Sequence, residues 1–136
     1  MYNEIELIKK DKEGNETQEV VKFRLQSREC VELEKEIGKP IQNYLEENES
    51  ITAVVKIIKY MRRWENMNYS DHDAEKLYDL LVENGWTFKR ILQDVVYETL
   101  VVSGFLEKQD WEEMKKLTEE ATKKLKDKRK SIIANI

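Results

Sequence analysis

Cysteine, proline and histidine each occur once in this chain of 136 residues, as Cys30, Pro40 and His72. One cysteine excludes an internal disulfide, and Cys30 with His72 alone makes no Cys/His zinc cluster. One proline and four glycines rule out a proline-rich linker, a collagen-like repeat and a flexible Gly/Ser tether. The glycines Gly14, Gly38, Gly85 and Gly104 stand singly, so there is no phosphate-cradling loop. No apolar run approaches the roughly 18 to 20 residues of a membrane span, and MYNEIELIKK has no signal-peptide core. The expected compartment is therefore the cytoplasm.

What is present in quantity is charged and hydrophobic residues, 38% and 40% of the chain. That balance suits one folded domain with heavily charged helix faces rather than a disordered chain. The net charge of −4 is uneven. Lys115, Lys116, Lys123, Lys124, Lys126, Lys128, Arg129 and Lys130 face only Glu119, Glu120 and Asp127, so this stretch carries +5 and the remainder −9.

Alternation at Ile5 and Leu7, and again at Val21, Phe23 and Leu25, predicts two strands, Tyr2–Lys9 and Glu19–Leu25, with Gly14 and Asn15 in the turn between. A lone hairpin is marginal in water, so its apolar face must lie on helices or on another chain. The rhythm then changes to helical spacing. Ser27 is expected to cap a helix with Glu29 in its first turn and Cys30, Leu33 and Ile37 on one face; Gly38 and Pro40 stop it. A short turn carrying Ile41, Tyr44 and Leu45 follows.

Ser50 caps the next predicted helix, with a stripe of Ile51, Val54, Val55, Ile58 and Met61 and with Lys56, Lys59, Arg62 and Arg63 on other faces. Ser70 and Asp73 form a capping-box pattern before Ala74, Leu77, Tyr78 and Leu81, closed by Asn84 and Gly85. Thr87 opens Phe88–Val102, apolar on most sides, which belongs inside a bundle or under a partner. Its length of about fifteen residues favours helix over strand. Asp110 and Glu113 suggest another capping box, followed by Trp111, Met114, Leu117 or Thr118, Ala121 and Leu125 at near-heptad spacing.

The expected fold is α+β and predominantly α-helical: one domain, 1–136, with a β-hairpin at 1–26, a core of about five to six helices at 27–106 and a charged C-terminal helix at 107–136. Chemistry finds little footing in it. SDHD at 70–73 is better read as a helix start than as a base beside carboxylates, and Cys30 as a core residue. No catalytic residue, cofactor or metal site is expected. The partner-binding candidates are the aromatics Tyr60, Trp64 and Trp111, with Met114, Lys123, Lys124 and Lys126. The cations raise a second function, a small regulator that binds nucleic acid, although the acidic body opposes it.

The order FRLQSRECVELEKEIGKPI, then SITAVVKIIKYMRRW, SDHDAEKLYDLLVENGWT and DVVYETLVVSGFL resembles the tail assembly chaperones of long-tailed phages and prophages of Gram-positive bacteria. The similarity is one of order and apolar spacing over about residues 20 to 125. It implies a non-enzymatic host-cytoplasmic protein, absent from the mature virion, that coats the tape-measure protein and helps recruit tail-tube subunits. Chaperones of this kind are commonly made in a short form and, by translational frameshift, a longer one, and by the resemblance this chain would correspond to the short form. Self-association through the hairpin edge or the C-terminal helix is expected alongside.

Overall fold

The computed structural model describes residues 1–117. The predicted class holds: an antiparallel hairpin is followed by helices. Strands β1 (Asn3–Lys10) and β2 (Glu16–Phe23) pair in a register that sets Ile5 opposite Val21 and Ile8 opposite Gln18. The second strand starts and ends earlier than alternation alone suggested. The tight connection is closed by Asp11, whose Oδ1 accepts from the N–H groups of Glu13 and Asn15, each at 2.9 Å. That local competition for backbone donors is what Asp offers in a turn.

The helices are α1 (Ser27–Ile37), α2 (Ile41–Glu47), α3 (Ile51–Arg62), α4 (Asp71–Glu83), α5 (Phe88–Arg90) and α6 (Glu98–Val102), the last two joined by a π-helical stretch, Ile91–Tyr97. Contacts divide the chain into two units, Met1–Phe105 and Leu106–Ile136. In the second unit a helix occupies 108–117. No helix among the described residues is long and apolar enough to cross a membrane.

Helix α3 is central to the first unit, touching α1, α4, β2 and the π-helical stretch. Its expected stripe is too narrow: Ala53 and Ile57 are buried beside Val54, Val55, Ile58 and Met61, and Lys59 is buried too, whereas Ile51 is exposed. The core adds Phe23 and Leu25 from the hairpin, Leu33 from α1 and Leu81 from α4. Each such side chain contributes about 1.5–3 kcal/mol on leaving water.

Helix ends follow the sequence with two corrections. Ser50, Ser70 and Thr87 cap as expected, and Ser70 with Asp73 makes a full capping box. Gly38 adopts φ 74°, the left-handed residue that lets its N–H reach Glu34 O. Ser27, however, is the first helical residue of α1; the cap position is Gln26, and its side chain makes no capping bond. Asp110 likewise lies inside the helix at 108–117, so it does not cap it.

The segment 88–102 is helical and internal, as its composition required, but it is not α throughout. Buried residues recur as Ile91 and Leu92, Val95 and Val96, Thr99 and Leu100. At about 3.6 residues per turn, a strict four-residue recurrence drifts about 40° per step. Wider i→i+5 turns rotate it back. The Glu98 N–H accordingly donates to Gln93 O and Val95 O rather than to Asp94 O.

Candidate functional site

The hairpin is half core and half arm. At its root Ile5, Leu7, Val21 and Phe23 are buried on one face; from Ile8 round to Val20 every residue is exposed. Even-numbered residues turn their backbone groups outward, as the external partners of Ile8 and Lys22 demonstrate. Such unpaired rows invite another strand.

On β1 the row is latched at Ile8. Asn84, at the end of α4, accepts from Ile8 N–H through Oδ1 at 2.8 Å and donates from Nδ2 to Ile8 O at 3.0 Å and to Leu80 O at 2.8 Å. Near the start of β1, Asn3 Nδ2 donates to Asp94 O at 2.8 Å and to Thr99 Oγ1 at 3.3 Å. Asp94 O is the carbonyl that the π-helical turn leaves without its α-helical donor, so the two irregularities satisfy each other. On β2, Lys22 O accepts from Arg62 Nη1 and from Trp64 Nε1 at 3.3 Å. Among the described residues nothing meets the outward N–H and C=O groups of Glu16, Gln18 and Val20.

The cations of α3 form a second feature. Lys56 pairs with Glu36 at 2.9 Å, buried Lys59 bridges Glu36 at 3.5 Å and Asp71 at 2.9 Å, Arg62 meets Glu65 at 2.9 Å, and Arg63 approaches Glu32 at 3.9 Å. Tyr60 donates its hydroxyl to Glu36. Hydrogen bonds from Tyr60 and Lys56 hold the Glu36 carboxyl at about 2, well below the usual carboxylate range. Burial, then the bond to Glu36, pushes the Tyr60 phenol up to about 12. What the sequence offered as a positive face is a neutralised seam between α1, α3 and α4, a poor counterion-release surface for phosphates.

The residues singled out from the sequence are therefore dispersed. Tyr60 is buried in that seam under Lys59 and Arg63. Trp64 lies beyond the end of α3 and stacks on Tyr2 with ring centroids 5.9 Å apart, while Lys22 Nζ sits 4.8 Å from the Tyr2 ring. Trp111 is buried with Lys115 over its ring, and Met114 is exposed, both in the second unit. Lys123, Lys124 and Lys126 lie outside the described residues.

His72 is 71% exposed in the first turn of α4, 3.9 Å from Glu75. Cys30 is buried, and burial with the Glu34 carboxylate nearby pushes its thiol up, which keeps it protonated and weakly nucleophilic. Glu29 is buried in the first turn of α1, with Oε2 lacking a hydrogen-bond partner. The sequence signalled neither its burial nor that of Lys59. It marked Asn84 only as a helix end, and Asn3 only as a polar strand residue.

One contact joins distant parts of the chain. Ser103 Oγ accepts from Leu25 N–H at 2.9 Å, tying the exit of β2 to the end of α6, and Phe105 N–H closes that end on Leu100 O at 2.8 Å. Comparison with protein-family models, with characterised proteins and with solved structures finds no match to this chain.

Proposed function

We propose that this protein is a tail assembly chaperone of a long-tailed phage or prophage. In this role it is a non-enzymatic protein that covers the tape-measure protein and aids the recruitment of tail-tube subunits. The observation that carries the reading is the Leu25 to Ser103 hydrogen bond. The phrases that bear the resemblance, FRL at 23–25 and VSGF at 102–105, stand far apart in sequence yet form one contact, so the similarity follows a packed unit rather than scattered residues.

The physical need is plain. A long amphipathic helix aggregates until its apolar stripe is covered. A small helical protein with apolar side chains on a surface helix can cover it as helix-in-groove partners do. The helix at 108–117 exposes Met114 and Leu117 at i, i+3 spacing, which supports that mode.

Co-expression with the tape-measure protein tests the proposal. The long helical protein should remain soluble and co-purify with the chain, and Met114→Asp with Leu117→Asp should weaken capture at least several-fold. Failure to rescue or co-purify would count against it. A salt-dependent gel shift on DNA, lost on removing Lys123 to Lys130, would instead favour a nucleic-acid regulator.

A further inference from the structure

We infer that Asn84 is a site of spontaneous deamidation, gated by its own latch on Ile8, and that the conversion releases the base of the arm irreversibly. The inference does not rest on the chaperone reading.

Two separate demands of the fold create the reactive pair. Gly85 takes φ 85°, the left-handed position past the end of α4; its N–H donates to Val82 O at 2.9 Å, and Trp86 N–H donates to Leu81 O at 3.0 Å. A side chain at 85 would be strained in that conformation, so the position calls for glycine. The residue before it must offer both a donor and an acceptor to Ile8, which an amide side chain does. Together these demands set asparagine directly before glycine, and Asn84 alone of the chain's asparagines has glycine after it. No side chain at 85 then shields the Gly85 nitrogen from the Asn84 amide carbon.

The chemistry needs only water. The Gly85 nitrogen gives its proton to solvent and attacks Cγ of Asn84. The N–Cγ bond forms, the Cγ–Nδ2 bond breaks, and Nδ2 leaves as ammonia with a proton from water. Water then opens the succinimide ring. Hydrolysis at the Cγ carbonyl gives aspartate, and hydrolysis at the backbone carbonyl gives isoaspartate, with the chain rerouted through Cβ and Cγ. The net change is water consumed and ammonia released.

The closed latch keeps the reacting groups engaged elsewhere. Oδ1 and Nδ2 of Asn84 are held by Ile8 and Leu80, and the Gly85 N–H is held by Val82 O. Attack requires the amide to swing off Ile8 and the Gly85 N–H to leave Val82, which is a local opening. Gly85 is exposed and Asn84 half-buried, so water reaches the pair once it opens. Neither product can close the latch again. Both lack the Nδ2 donor, and both carry an added negative charge beside the carbonyls of Ile8 and Leu80.

The test incubates the full chain in mildly alkaline buffer, folded or unfolded in guanidinium chloride, and maps deamidated peptides by mass. Asn84 should convert in both, at least about tenfold more slowly in the folded chain. Ile8→Pro removes the N–H that holds Oδ1 and leaves the β1 to β2 ladder in place. It should speed conversion in the folded chain at least about threefold. The deamidated chain, separated from its parent by the added negative charge, should show faster hydrogen exchange at Ile8 N–H. Equal rates in the folded and unfolded chain, no conversion of Asn84 in the folded chain, an unchanged rate in a folded Ile8→Pro chain, or full protection of Ile8 N–H in the product would each overturn the inference. If the proline variant fails to fold, the rate comparison and the exchange measurement, which need no substitution, decide.

Discussion

The Asn84 side chain acts on Ile8 as a neighbouring strand would, giving an acceptor to its N–H at 2.8 Å and a donor to its carbonyl at 3.0 Å. One amide thus does three things: it ends α4, holds the base of the arm and occupies the β1 edge at Ile8. Asn is suited to this because its amide carries the same donor and acceptor pair as a peptide group.

Asn84→Ala should lower stability by about 1–2 kcal/mol through loss of these bonds. Asn84→Asp should cost at least as much, because a carboxylate oxygen would replace Nδ2 against the carbonyls of Ile8 and Leu80. Chemical denaturation gives the stability change, and hydrogen exchange at Ile8 N–H should speed up in both variants. Unaltered exchange would show that the latch does not hold the edge.

The Glu36 seam predicts a dependence on pH at both extremes. Glu36 is depressed from 4.5 to about 2, so its contribution is complete above 4.5 and is lost as pH falls through that interval. Tyr60 is raised from 10.0 to about 12, so the neutral phenol's contribution is complete below 10 and is lost as pH rises toward 12. Tyr60→Phe should cost about 1 kcal/mol at neutral pH, less than a fully buried charged hydrogen bond because Glu36 is 34% exposed. The variant should lose the Tyr60 share of the alkaline dependence, leaving that of Tyr69, Tyr78 and Tyr97, whose phenols burial also pushes up, and it should lose part of the acid dependence. Denaturant midpoints measured from pH 2 to 11 would detect both.

Asn3 and the π-helical stretch form a coupled pair. Without the Asn3 donor, Asp94 O loses the bond that stands in for the Glu98 N–H of a regular α-helix. Asn3→Ala should destabilise by about 1 kcal/mol. In a double-mutant cycle with Thr99→Val, the coupling should be favourable and about 0.5 kcal/mol or more, since Thr99 Oγ1 shares the same amide. Strict additivity would mean the side chain does not bridge the two.

Periodicity made the hairpin, the helix order and most core positions legible, because apolar spacing is read directly from residue types. It located Ser50, Ser70 and Thr87 for the same reason: caps are local. It did not reveal Asn84 on Ile8, 76 residues away, or Asn3 on Asp94, because a polar residue's partner across the fold leaves no mark in its own neighbourhood. Lys59 was placed with the solvated cations since lysine is rarely buried unless paired, and its partners Glu36 and Asp71 come from two other helices. The π-helical turns hid behind a stripe that an α-helix also explains to within a small rotation.

The serines give the sharpest contrast between local and tertiary reading. Ser27 stands where a cap is expected before Glu29 and Cys30, yet it lies within α1 and no capping bond forms there. Ser27→Ala should therefore change stability by less than about 0.5 kcal/mol, and alanine's helix propensity gives it a slight gain. Ser103 looks like a mere helix stop, yet its hydroxyl receives Leu25 N–H in a partly buried setting. Ser103→Ala leaves that donor without an acceptor and should cost about 1–3 kcal/mol, with faster exchange at Leu25 N–H. Ser103→Thr keeps the hydroxyl and should restore most of the loss. If Ser27→Ala proves the costlier of the two, the capping assignment from sequence is right and the tie between the exit of β2 and the end of α6 is dispensable.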